Sequence, residues 1–157
     1  MNFYYPNRTN DFWPMMGLIF LGGRDALYDR QARCFRLDDI KRLLVEKGIA
    51  LNDTARKVRR LKDNASDKFL DIVEPVPLSD LLSQMPSCHT VVTTGEKAAG
   101  VVACLTGTPL PRMGEMVTIA DGSLEIWRMP STSRAYPLAL EKKAAYYAEM
   151  FRHIGLI

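Results

Sequence analysis

His89-Thr90-Val91-Val92-Thr93-Thr94-Gly95-Glu96-Lys97-Ala98-Ala99-Gly100-Val101-Val102 is the stretch whose reading decides the fold class. Its β-branched first half predicts a strand over 89–94 that ends at Gly95, and its second half predicts a helix over 96–105. Toward the C-terminus, Met116–Ala120 and Leu124–Met129 flank Asp121-Gly122, the short turn signature of a β-hairpin, and the second strand runs into Pro130. Pro137 then begins a final helix in which Leu140, Ala144, Tyr147, Phe151 and Ile154 recur at spacings of four and three, a core-packing stripe.

Toward the N-terminus, Leu78–Met85 reads as a short helix and Leu70–Val76 as a strand. Asp38-Asp39 starts a helix with Ile40, Leu43 and Leu44 on one face, closed by Gly48 after Lys47, and Ile49-Ala50-Leu51 is expected as a short buried strand. The first helix is capped by Asn10 or Asp11, tolerates Pro14 in its first turn and ends at Gly22-Gly23. Strands alternating with helices predict a layered α/β domain with a mainly parallel sheet. Ligands gather beyond the carboxyl ends of such strands, here Asn52-Asp53-Thr54, Thr93-Thr94-Gly95 and Met129-Pro130-Ser131.

The chain has 157 residues, 47% hydrophobic and 25% charged, the size and content of one compact domain over 1–157. A formal charge of only +3 means that affinity for nucleic acid must come from local clusters of Lys and Arg. Cys34, Cys88 and Cys104 are odd in number and widely spaced, and with only His89 and His153 beside them they predict neither disulfide framework nor metal centre. No cofactor is expected. The cysteine usage and the lack of a signal-peptide pattern or long apolar run read as a cytoplasmic protein without a membrane partner, monomeric by default.

Three segments can carry chemistry. In Phe3-Tyr4-Tyr5-Pro6-Asn7-Arg8-Thr9-Asn10-Asp11-Phe12-Trp13, rings for stacking stand beside an amide that both donates and accepts, which suits the edge of a flat heterocycle. The same rings would also serve as an arm packed into the core. The loop Arg128–Pro137, with Pro130, Ser131, Thr132, Ser133 and Arg134, offers hydroxyls and arginines to a phosphate or forms a polar turn. The run Arg56, Lys57, Arg59, Arg60, Lys62 can contact a phosphate backbone or form a solvated face.

Together these segments resemble the uracil-DNA glycosylase superfamily, nearest its mismatch-specific and hypoxanthine-acting branches. The likeness lies in the Tyr-rich segment with Asn10, Phe12 and Trp13, in Gly48–Thr54 with Arg59 or Arg60 and Ser66-Asp67, and in Met129–Arg134, in the family's order. Arg8 or Thr9 stands where some members have proline, and Met129 replaces the histidine that some branches aim at the departing base. The first strand of the family and its Gly-x-x-Pro-Gly-like loop would precede the aromatic segment, so a segment encoding them is expected upstream.

The resemblance implies a three-layer α/β/α fold with a mainly parallel central sheet and hydrolysis of the N-glycosidic bond of uracil or hypoxanthine flipped out of DNA, as in base-excision repair. It implies Asn10 as a catalytic residue, Asp53 as the carboxylate that stabilises an oxocarbenium-like sugar, and Tyr5, Phe12 and Asn52 as base contacts. Arg59, Arg60, Pro130, Ser131, Thr132, Ser133 and Arg134 would bind the DNA. The alternative within the same resemblance is a DNA-binding domain that has lost the first active-site motif and does not catalyse. An unrelated hydrolase with Cys88 or Ser131 as nucleophile has no Gly-x-Ser-x-Gly elbow behind it.

Overall fold

The computed structural model describes residues 1–60 and 70–157, with backbone alone at 56–60 and 70–73. In chain order its elements are α1 (Phe12–Leu21), β1 (Tyr28–Asp29), β2 (Cys34–Phe35), α2 (Leu37–Lys47), β3 (Ala55–Arg60), β4 (Leu70–Pro75), α3 (Leu78–Ser83), β5 (Thr90–Thr94), α4 (Glu96–Thr106), β6 (Met116–Thr118), β7 (Glu125–Met129) and α5 (Leu140–His153). The chain is therefore mixed α/β. It divides into two compact units, Met1–Asn52 with Thr132–Ile157, and Asp53–Ser131.

In the first unit α1 packs against α5. Trp13, Met15, Met16, Ile40, Tyr147 and Met150 are all but fully buried, and the Phe20 and Phe151 rings meet at 5.0 Å. The stripe expected on α5 is buried at Leu140, Ala144, Tyr147 and Phe151. Gly17 permits a close backbone approach, because a Cβ there would lie 2.6 Å from the Gly23 carbonyl oxygen. Gly22 follows in the left-handed conformation and stops α1, as Gly48 stops α2.

In the second unit β5, β7 and β6 form a sheet in the order β5-β7-β6. The β5–β7 pair is parallel, Thr90 opposite Glu125 through Thr94 opposite Met129, whereas β6 and β7 are antiparallel because the tight Asp121-Gly122 turn reverses the chain. Val102, Leu124 and Ile126 form a buried cluster, with Leu78, Leu82, Val91, Val117 and Ile119 against it. β3 and β4 make a separate antiparallel pair running from Ala55 opposite Pro75 to Arg60 opposite Leu70.

Three expectations need correction. The sheet expected to be mainly parallel has one parallel pair among the described residues; the other three strand pairs are antiparallel. No strand forms at Ile49-Ala50-Leu51: the Ile49 N–H donates to the Leu44 carbonyl at 2.9 Å, closing the end of α2, and Ala50 is exposed. The last helix begins at Leu140, not Pro137, since the Lys143 N–H and Lys142 N–H first find a helical acceptor at the Ala139 carbonyl. The basic run is a strand from Ala55 to Arg60, while Lys62 and Ser66-Asp67 lie outside the described residues.

Candidate functional site

The aromatic segment folds back on the start of α1. The Trp13 indole N–H donates to the Tyr4 carbonyl at 2.9 Å, and the Phe3 ring stacks on Trp13 at 6.2 Å. Tyr5 stacks on Phe12 at 4.3 Å with 24° between the planes, and Phe12 meets Trp13 edge-on at 4.8 Å. Phe12 is only 5% exposed, so Tyr5 covers one of its faces and presents the outer ring of the pair. Tyr5 holds φ at 53°, a left-handed backbone that a non-glycine residue adopts at a cost of about 1–2 kcal/mol. Beneath it, burial raises the Tyr147 phenol well above its ordinary value of 10.0, and Tyr5 adds to the shift.

Asn10 precedes the N-cap residue Asp11, and its Oδ1 accepts the Phe12 N–H at 2.9 Å, leaving Nδ2 as a donor. Its backbone pairs with Ser133 in an isolated antiparallel bridge. On either side, the Asp11 N–H donates to the Thr132 carbonyl at 2.7 Å and the Arg134 N–H to the Thr9 carbonyl at 3.1 Å. The amide segment and the hydroxyl-rich loop thus form one two-stranded patch.

A charged clamp locks that patch. Asp11, at the N-terminus of α1 where the helix dipole favours an anion, accepts the Arg134 Nε–H on Oδ1 at 3.0 Å and the Lys143 ammonium on Oδ2 at 2.9 Å. Lys143 is fully buried and also donates to the Ser133 carbonyl at 2.9 Å. The Arg134 side chain remains 46% exposed, so a guanidinium oriented by Asp11 keeps its outer edge toward solvent. Asp11 and Lys143 were absent from the sequence-based set of site residues. The available signal was spacing, since Lys143 lies three residues after Leu140 and four before Tyr147, on the buried face of α5.

In the second unit the parallel register sets the ends of β5 and β7 level. The Gly95 N–H donates to the Met129 carbonyl at 2.9 Å, and a Cβ on Gly95 would touch the Ser131 Cβ at 3.4 Å. With φ at 109°, Gly95 turns the chain from strand to helix where other residues are strained. Two of the three expected strand-end loops therefore meet, with Pro130 buried and Ser131 half-buried. The third follows no strand: Asn52 ends the first segment of the first unit, Asp53 opens the second unit, and both are exposed. Arg59 and Arg60 lie on β3, opposite Asp71 and Leu70. The Cys88 thiol donates to the Thr90 carbonyl at 3.4 Å.

No family model matches the chain, and neither the curated proteins nor the solved structures contain a match. Among the described residues no helix is long and apolar enough to cross a membrane.

Proposed function

We propose that the chain is a DNA glycosylase of three-layer uracil-DNA glycosylase-like fold that hydrolyses the N-glycosidic bond of uracil or hypoxanthine flipped out of DNA, in cytoplasmic base-excision repair. The observation that carries this reading is the bridge between Asn10 and Ser133. Partners across an antiparallel bridge lie about 5 Å apart at Cα, less than the span of one nucleotide. A base reader and a phosphate gripper 123 residues apart in sequence, Asp11 and Arg134 included, are thereby brought to the scale of a single extruded nucleotide.

On this reading each residue has a role. With Phe12 covered, the flipped base stacks on Tyr5, which Phe12 backs. Because Asn10 Oδ1 is engaged by the Phe12 N–H, its Nδ2 donates to a base carbonyl and stabilises the negative charge that grows on the leaving base. Arg134 and the Ser133 segment hold phosphate.

The test is base release from duplexes carrying uracil or hypoxanthine, read as alkali-labile strand breaks. The wild-type chain is expected to release one of them, and Asn10→Ala to slow release by about 100-fold or more, the effect of losing a donor to a developing anion. Release unchanged in Asn10→Ala would overturn the assignment. The engagement of Asn10 Oδ1 by the Phe12 N–H and the covering of Phe12 favour a second reading, a DNA-binding domain without catalysis. Binding to duplex DNA with no release of either base would support that one.

A further inference from the structure

The first unit carries a concave surface that the glycosylase reading does not use. The β1–β2 hairpin, the start of α2 and the segment before α1 border a half-open cavity of about 330 Å³ whose lining includes Pro6, Arg8, Tyr28, Arg33, Phe35 and Leu37. That volume is at the small end for ligand sites. Its floor is apolar and aromatic, with Tyr28 and Phe35 edge-to-face at 5.3 Å, and arginine supplies its polar rim.

The rim is built, not incidental. The Arg8 guanidinium lies 3.8 Å over the Tyr28 ring, while just over half of the side chain stays open to solvent. Arg33 occupies the hairpin with φ at 54°, a left-handed position where glycine or asparagine is ordinarily found, and holds an arginine there at a cost of about 1–2 kcal/mol. The nearby acids offset the rim only in part. Asp25 is shared between Arg30 and Arg8, and Asp29 Oδ1 is turned back onto the Gln31 and Ala32 N–H groups at 2.9 Å each. Among the described residues Arg33 has no ion-pair partner within 4 Å.

We infer that this cavity binds a nucleotide, its phosphate on Arg8 and Arg33 and its base against the guanidinium plane and the aromatic floor. Arginine forks suit phosphate oxygens, and both guanidinium planes and aromatic faces stack unpaired bases without regard to sequence. The same chemistry is presented by a free mononucleotide and by an unpaired nucleotide of a DNA strand.

Calorimetric titration separates these sources with three probes: inorganic phosphate, thymidine 5′-monophosphate and a short single-stranded oligothymidylate. Arg33→Gly is the informative variant, since glycine adopts the same backbone without strain and the hairpin stays folded. Arg24→Gln removes an equal charge from an exposed residue outside the lining. Arg33→Gly is expected to weaken binding of the monophosphate, the oligonucleotide or both by about tenfold, with Arg24→Gln within twofold of wild type. Dependence seen with the monophosphate alone identifies a free nucleotide, and with the oligonucleotide alone a strand. Inorganic phosphate binding as tightly as the monophosphate would overturn the base contact. Equal losses in the two variants, or no binding of any probe, would overturn the site.

Discussion

Two aspartates in the first unit are each held by two cations, and their surroundings make them different devices. Asp11 is 8% exposed and joins Arg134 to a Lys143 side chain that solvent does not reach. Asp25 is 25% exposed and joins Arg8 and Arg30, whose side chains are 53% and 79% exposed. The buried set ties the start of α1 to residues 123 and 132 positions away, whereas the Arg30 contact with Asp25 spans five. Charge in a low-dielectric interior must be matched or it destabilises, so burial turns an ion pair into a constraint on which segments can be neighbours. At the surface the same pair competes with water and salt and constrains little.

Breaking the buried set gives the largest expected effect. Lys143→Met leaves Asp11 with a single, half-exposed cation and removes a donor from the Ser133 carbonyl, so a loss of about 3–5 kcal/mol in denaturant unfolding is expected. The double variant Asp11→Leu, Lys143→Met removes both buried charges and should recover part of that loss, because well-packed apolar residues replace such a pair at little cost. If the single variant lost under 1 kcal/mol, the contrast drawn between Asp11 and Asp25 would collapse.

A smaller effect is expected at Gly17, which lies on α1 between the two aspartates in sequence. An alanine Cβ would meet the Gly23 carbonyl at 2.6 Å, a backbone atom that can yield only by shifting the turn leading to Asp25. The steric cost of about 1–3 kcal/mol is offset by a gain of about 1 kcal/mol in helix propensity, leaving a net loss of up to about 2 kcal/mol. Chemical shifts around Asp25 should move while those around Asp11 stay, and movement at Asp11 alone would contradict this division.

The two aspartates also mark what could be read from the sequence. Helix ends at Gly22 and Gly48, the strand-to-helix switch at Gly95 and the hairpin at Asp121-Gly122 were legible because each depends on a few adjacent residues. Tyr28–Asp29 and Cys34–Phe35 were not, since strands of two residues carry no period. Ile49-Ala50-Leu51 was misread because an apolar triplet does not reveal whether a partner strand exists. In the candidate site, Asn10 and Ser133 were singled out separately, but their pairing was not read, nor was Lys143, which donates to the Ser133 carbonyl and whose charge hid its place on the core face. Buried ion pairs oppose the hydrophobic pattern from which cores are read.

Arg30→Ala tests the exposed side of the comparison and should have the smallest effect. The Arg30 hydrogen bond is the first cause of the lowered Asp25 pKa, with the Arg30, Arg8 and Arg24 charges adding to it and desolvation opposing. A carboxyl lowered in the folded state contributes stability above its unfolded value, here near 3.8, and loses that contribution as pH falls through the lower folded value. Arg30→Ala should therefore cost a few tenths of a kcal/mol at neutral pH, within the 0–1 kcal/mol typical of exposed pairs. The difference from wild type should shrink as pH falls from about 4 through the lowered folded value of Asp25, below which the carboxyl is protonated in both proteins, and also shrink in molar salt. The Lys143→Met deficit should persist in that salt at neutral pH, because the buried pair is screened far less. Equal salt sensitivity in the two variants would show that burial does not set the two aspartates apart.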